Sequence, residues 1–229
     1  MSKRHSWVRI PPSPPDTPGT VLLRVLPLLL SLLLTGACAR QESVLRLQGE
    51  TMGTTYSLQV VPGSADLEQT EVAALVDGML AEANEHLSTW NPASEISALN
   101  RHEAGSWIPL SPTLFDVLAA AREVSERTGG AFDVTIGPLV ELWGFGSGAG
   151  RGDQPPQDVE ISEALESAGY GKIELRAQPP ELRKASSALR LDVGAIAPGY
   201  TVDRIAIGLE ALGARDYLVE IGGEVRARG

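Results

Sequence analysis

One cysteine and three histidines in 229 residues leave little room for redox or histidine-metal chemistry. A lone thiol, Cys38, cannot close an intrachain disulfide. Past the first forty residues only His86 and His102 remain, too few for a histidine-rich zinc site. No Gly-x-Ser-x-Gly elbow and no Gly-Lys-Ser/Thr phosphate loop occurs. That argues against a Ser–His hydrolase and against a phosphate-loop nucleotide site. Positive charge is also scarce: 19 Lys and Arg face 29 Asp and Glu, a formal net charge of −10. A chain this acidic repels nucleic acid, and no basic stripe reverses the field. It repels nucleotides for the same reason. Holding a diphosphate would need a local metal ion or a concentration of backbone N–H groups.

The N-terminus is of a different kind. Lys3, Arg4, Arg9 and Arg24 come before a leucine-rich run at residues 25–34, and Thr35-Gly36-Ala37-Cys38 follows it. A short apolar stretch behind positive charges, closed by small residues, reads as a secretory signal rather than a membrane span. The cysteine at the cut position resembles a bacterial lipoprotein box, with Thr35 where leucine is usual. The expectation is a lipoprotein signal peptide over residues 1–37, lipid attachment at Cys38 and a linker over 38–48. The competing reading is a plain signal peptide with an incidental cysteine. Residues 11–18 are unusually proline-rich for a leader, which points to a start further downstream.

The rest is long enough for one domain with a sizeable core. Alternation predicts strands at residues 45–50 and 56–61. Helical spacing of Val72, Leu75, Val76, Met79, Leu80, Ala83 and Leu87 predicts a helix over 67–87. A second helix is expected over 112–127, capped by Ser111, with Leu114, Val117, Leu118, Ala121 and Val124 inward. Further helices are expected at 159–167 and 200–212, and strands at 173–175, 189–193, 217–221 and 225–228. Without steady strand–helix alternation the class is α+β, a single domain over 49–229. The run Gly144-Phe145-Gly146 follows no strand and opens no helix, so 144–152 reads as a flexible loop. The last residues form a predicted strand with nothing to cover its edge, which reads as a domain incomplete at its C-terminus.

Four segments stand out: residues 49–56, 129–139, 191–200 and 220–224. Each sets glycine, a small polar residue or a carboxylate against an apolar run. Glycine lacks a Cβ and lets the main chain approach a ligand closely. Taken alone, Thr51-Met52-Gly53-Thr54-Thr55-Tyr56 is a hairpin corner. Asp133, between Phe132 and Val134, is a carboxylate at least partly buried and therefore in need of a partner. In the third segment a strand delivers Asp192 to its end, and the chain enters a helix over small residues. Amides at such a helix start favour anions, and freed carbonyls can bind a hard cation.

In this order and spacing the segments resemble the FAD:protein FMN transferase family, also called the ApbE family, from Gly49 to the last residue. The resemblance implies that Met52, Trp90, Ala131, Phe132, Asp133, Asp192 and Pro198 lie at FAD. It also implies that the Ala195 carbonyl ligates Mg²⁺. Trp90 stands where the family usually has Tyr, Val134 where Pro is commoner, and Pro198 where Lys is frequent. The activity implied is transfer of FMN from FAD to a threonine hydroxyl of an acceptor flavoprotein, with release of AMP. The implied setting is the bacterial cell envelope, lipid-anchored and facing the periplasm, at the inner membrane. The family's His-x-x-Asp-Pro-x-Thr-Gly motif, which supplies a general base, does not occur in these residues. Nor do the later Asp and Thr metal ligands, so no catalytic residue is assigned. The fragment is expected to bind FAD weakly and not to turn it over. An FAD diphosphatase and a non-catalytic flavin-binding lipoprotein are the alternatives.

Overall fold

Alternating side chains build the first element of the computed structural model, which describes residues 44–62, 67–147 and 154–229. The signal segment, Cys38, the linker up to residue 43 and loop residues 148–152 lie outside the described residues. Strands β1 (Leu45–Thr51) and β2 (Thr54–Val61) form an antiparallel hairpin with Thr51 opposite Thr54. Its two-residue turn has positive φ at both positions, 52° at Met52 and 75° at Gly53. A two-residue loop matches the strand twist only with such dihedrals, and Gly accepts them freely. Met52 does not. It is the one non-glycine residue at positive φ among those described, and such strain gathers at functional sites.

Helix α1 (Gln69–Leu87) follows, then α2 (Glu95–Arg101), β3 (Ile108–Pro109), α3 (Pro112–Arg127), α4 (Gly137–Leu142) and α5 (Asp158–Ser167). The chain continues through β4 (Ile173–Ala177), β5 (Pro180–Lys184), α6 (Ala197–Ala211), β6 (Asp216–Ile221) and β7 (Glu224–Arg228). One sheet runs β1-β2-β6-β7 and the other β3-β5-β4, with every ladder antiparallel. The four-stranded sheet buries Leu58, Val60, Val219 and Ile221 against Val76 of α1 and Leu209 of α6. A second core gathers Leu114 and Leu118 of α3 with Leu182, Leu189 and Leu191. The architecture is α+β, as composition and pattern imply.

Helix starts follow their caps. Ser94 accepts from the Ser97 amide at 3.2 Å and Ser111 from the Leu114 amide at 3.1 Å. Helix α6 begins at Ala197, three residues before the predicted start, because Pro198 fits a first helical turn. Helix α1 begins at Gln69 rather than residue 67. Helices α2 and α4 and strands β3 and β5 are additions: β5 reads Pro-Glu-Leu-Arg-Lys and gives no apolar alternation to find. Val124, expected inward, is 36% exposed.

The predicted strand at 189–193 is not a strand. Its alternation is real, since Leu189, Leu191 and Val193 are all buried, but side chains and loops take the main-chain partners that a neighbouring strand would supply. Asn100 Nδ2 donates to the Leu191 carbonyl at 2.9 Å, and its Oδ1 accepts from the Leu191 amide at 2.7 Å. The Asp192 amide donates to the Val134 carbonyl at 2.8 Å, and the Gly137 amide to the Arg190 carbonyl at 3.2 Å. Only a parallel bridge from Arg190 to Ile136 remains.

Beneath this segment lies Lys184 of β5, fully buried, whose Nζ donates to the Asn100 carbonyl at 3.2 Å. Burial holds its ammonium below the usual lysine pKa, and the neighbouring Arg190 charge pushes the same way. The buried Lys184 amine thus holds the end of α2, and the Asn100 side chain holds Leu191, the residue before Asp192.

Candidate functional site

Four of the residues expected at FAD come together. Met52, Trp90, Asp192 and Pro198 all line one cavity of about 150 Å³, with Ser88, Thr89, Val140, Phe145, Gly194 and Ala197. A larger cleft of about 500 Å³ adjoins it and shares Thr89, Trp90 and Asp192. Its further lining includes Ser97, Asn100, Arg101, Gly137, Glu141 and Arg190. A volume of that order suits a nucleotide-sized ligand.

Each wall has a local cause. The hairpin turn brings Met52 to the cavity, where Thr201 Oγ1 stands 3.9 Å from its sulfur. The turn after α1 presents Trp90, 59% exposed, and the turn after α4 presents Phe145, 74% exposed. Two bare aromatics on one cavity are costly in water and suited to stacking on a planar ring. Asp192 Oδ1 accepts from the Gly194 amide at 2.8 Å, which shapes the turn into α6. In that turn the Val193 carbonyl accepts from Ile196 and Ala197, and the Ile196 carbonyl from Tyr200. None of these bonds uses the carbonyl of Ala195, which is exposed.

The second segment sits differently. Asp133 is half-buried and finds its partners within the protein. Its Oδ1 accepts from the Thr135 amide at 2.8 Å and the Thr135 hydroxyl at 2.6 Å, and its Oδ2 from the Tyr170 amide at 2.8 Å. Phe132 packs against the second core, and Ala131 is exposed. None of these three lines either cleft. Their connection to it is the Val134 carbonyl, which holds the Asp192 amide.

Sequence reasoning passed over Phe145, Asn100, Arg101 and Arg190. Phe145 falls in the stretch 144–152, which reads as a flexible loop. Only its exposure marks it, and exposure is not written in a motif. The histidines lie elsewhere. His86 Nδ1 meets Glu95 at 2.7 Å, and Glu95 also accepts from the Ser111 amide at 2.7 Å and hydroxyl at 2.5 Å. Here the carboxylate, not the imidazole, stands between serine and histidine. The imidazole cannot take the hydroxyl proton in that order, so this is a helix-end junction rather than a nucleophile.

Comparison with known proteins agrees with the geometry. Residues 52–229 match the family model described as the ApbE family. The curated FAD:protein FMN transferase of Vibrio cholerae serotype O1 is 38% identical over 205 residues, covering 88% of this chain and 59% of the relative. That of Haemophilus influenzae is 36% identical over 197 residues, covering 84% and 57%. Among solved structures, the flavin transferase ApbE from Vibrio cholerae superposes with a TM-score of 0.78 at 35% identity, over 82% of this chain and 60% of that one. The apo flavinyl transferase ApbE of Pseudomonas stutzeri gives 0.76 at 36% identity, over 82% and 62%. The chain therefore spans about three-fifths of the length of these relatives. With the family model matched over residues 52–229 and a relative 38% identical over 88% of its length, the chain belongs to the ApbE family.

Proposed function

We propose that this chain carries the FAD-binding part of an enzyme that transfers FMN from FAD to a threonine hydroxyl of an acceptor flavoprotein. The observation that supports it most is the meeting of Met52, Trp90, Asp192 and Pro198 at two adjoining clefts. The curated relatives named FAD:protein FMN transferase add to it. In the reaction the threonine oxygen attacks the flavin-side phosphorus. A phosphoester bond forms, the diphosphate bond breaks, AMP leaves, and the threonine proton passes to a base. The residues of this chain bind and orient. Trp90 and Phe145 offer faces to a planar ring, Met52 a polarizable thioether. Asp192, fixed by Asn100 and Val134, offers a hydrogen-bond acceptor.

Mg²⁺ belongs to this proposal as a Lewis acid for the phosphoryl oxygens. The Ala195 carbonyl is a hard oxygen left out of the turn's own bonding and would be one ligand. One carbonyl does not make a magnesium site. Among the described residues no group of three or more His, Cys, Asp or Glu is placed to hold a metal ion. No step is therefore derived through the ion.

Lacking a His-x-x-Asp-Pro-x-Thr-Gly motif, these 229 residues hold FAD weakly and do not cleave it. AMP appearing when the purified chain meets FAD and Mg²⁺ would contradict that. For the native gene product, intact-mass measurement of a threonine-bearing flavoprotein incubated with FAD should show the added mass of FMN. FMN free in solution would indicate a diphosphatase instead, and neither product a flavin-binding lipoprotein.

The proposal places the protein in the cell envelope, facing the periplasm, anchored through lipid on Cys38. The basic leader and the lipoprotein-like box support this. No described helix is long and apolar enough to cross a membrane. Cells grown with labelled palmitate should label the protein and not its Cys38→Ser variant; equal labelling of both would refute the anchor.

A further inference from the structure

Positive charge is distributed unevenly between the two clefts. No Lys or Arg lines the smaller cavity, whereas Arg101 and Arg190 both line the larger. In a chain of net charge −10 that placement calls for a reason. Most arginines of the described surface are neutralised nearby: Arg122, Arg127, Arg176, Arg183, Arg226 and Arg228 each pair with a carboxylate. Arg46, Arg101, Arg190, Arg204 and Arg215 show no ion pair among the described residues, and of these five only Arg101 and Arg190 line the larger cleft. Arg190 is instead held by main-chain oxygens, its Nη1 donating to the carbonyls of Ser187 and Leu189. Neutral carbonyls orient a guanidinium without cancelling its charge. Of its five N–H donors, those not bound there stay available for a partner.

Two carboxylates, Glu141 and Asp192, share the larger lining, so the cleft is not cationic by count. Their placement matters more. Asp192 lies on the wall common to both cavities, with Oδ1 bound to the Gly194 amide. Glu141 lies against Gly146, where an added Cβ would meet its carboxyl group. Asn100 and Ser97 add polar groups beside the arginines.

We infer that Arg101 and Arg190 form an anion subsite that receives the phosphate-bearing part of the ligand. Resting on the flavin-nucleotide reading above, this sets the polarity of the bound dinucleotide. The adenylate with its phosphate lies in the larger cleft, and the diphosphate continues past the shared wall at Asp192 toward the Ala195 turn and the flavin ring at Trp90 and Phe145. The planar fork of arginine matches phosphate oxygens in pairs, and charge-assisted bonds of this kind are about twice as strong as neutral ones. The subsite also answers the difficulty of a nucleotide approaching an acidic chain, by concentrating positive charge where the phosphates sit.

The test uses the full chain, its Arg101→Gln/Arg190→Gln variant, and three probes read by ligand-observed NMR: AMP, riboflavin and FAD. Thermal melting checks that the variant remains folded. The expected result is that AMP and FAD bind the variant about tenfold or more weakly, while neutral riboflavin binds both proteins alike. Added salt should weaken AMP binding to the parent and leave riboflavin unaffected. AMP binding to the parent without riboflavin binding would support this subsite while defeating the flavin reading. Equal losses for riboflavin and AMP in the variant, or a parent that does not bind AMP, would overturn the subsite.

Discussion

Replacing Asn100 with alanine is expected to destabilise the domain by about 2–6 kcal/mol and to weaken FAD binding at the same time. The magnitude follows from what the side chain holds. Leu191 is 1% exposed, and Asn100 satisfies both its amide and its carbonyl. Leaving a buried donor or acceptor without a partner costs about 1–3 kcal/mol each. Asp192 is the next residue, so a loosened Leu191 moves the acceptor shared by both clefts. Asn100→Asp separates the two bonds: the carboxylate still accepts from the amide but cannot donate to the carbonyl. Urea unfolding should rank parent, Asp and Ala in that order. Hydrogen exchange should quicken at Leu191 in the alanine variant. An alanine variant as stable as the parent would show that this clamp is incidental.

The second large effect is expected at Gly137. A Cβ added there would lie 2.8 Å from both the Arg190 carbonyl oxygen and the Arg190 Cβ. Backbone atoms cannot swing aside as a flexible side chain can, so the 189–193 segment must shift away from α4. Overpacking of this kind typically costs about 1–3 kcal/mol. Gly137→Ala should also lower FAD affinity, because Arg190 and Asp192 travel with the displaced segment. Gly78→Ala is the control. It lies within α1 with no atom within 4 Å of the added carbon, and should stabilise by about 0.5–1 kcal/mol. Parallel melts of the three proteins check both signs, and a Gly137→Ala variant at parental stability and affinity would refute the close contact.

Both positions show where sequence reading succeeds and where it stops. The helices expected over 112–127 and 67–87 are visible because their buried residues recur at helical spacing, and the first of these also carries its Ser111 cap. The hairpin was visible in alternation around Met52-Gly53. Residues 189–193 show the limit. Alternation records which side chains are buried and says nothing about what satisfies the main chain. Here a side chain 91 positions earlier does so, and the expected strand does not form. Asp133 shows a different limit. Its need for partners was legible, but whether they are a ligand or the amide of Tyr170 depends on the fold. Arg190 escaped notice because a lone arginine between leucines resembles the surface face of a strand. Only the cleft and the absence of a described ion-pair partner set it apart.

The central claim is that these turns form a flavin-nucleotide site, and the side-chain signals of tryptophan test it most directly. With Mg²⁺ present, FAD added to the 229-residue chain should shift the Trp90 indole N–H resonance saturably in the sub-millimolar range. The Trp107 resonance should stay in place, since that ring packs under Arg176 and Arg183 at 4.5 and 4.9 Å, outside both clefts. A Trp90 signal unmoved by FAD, or one that moves no more than that of Trp107, would contradict the account.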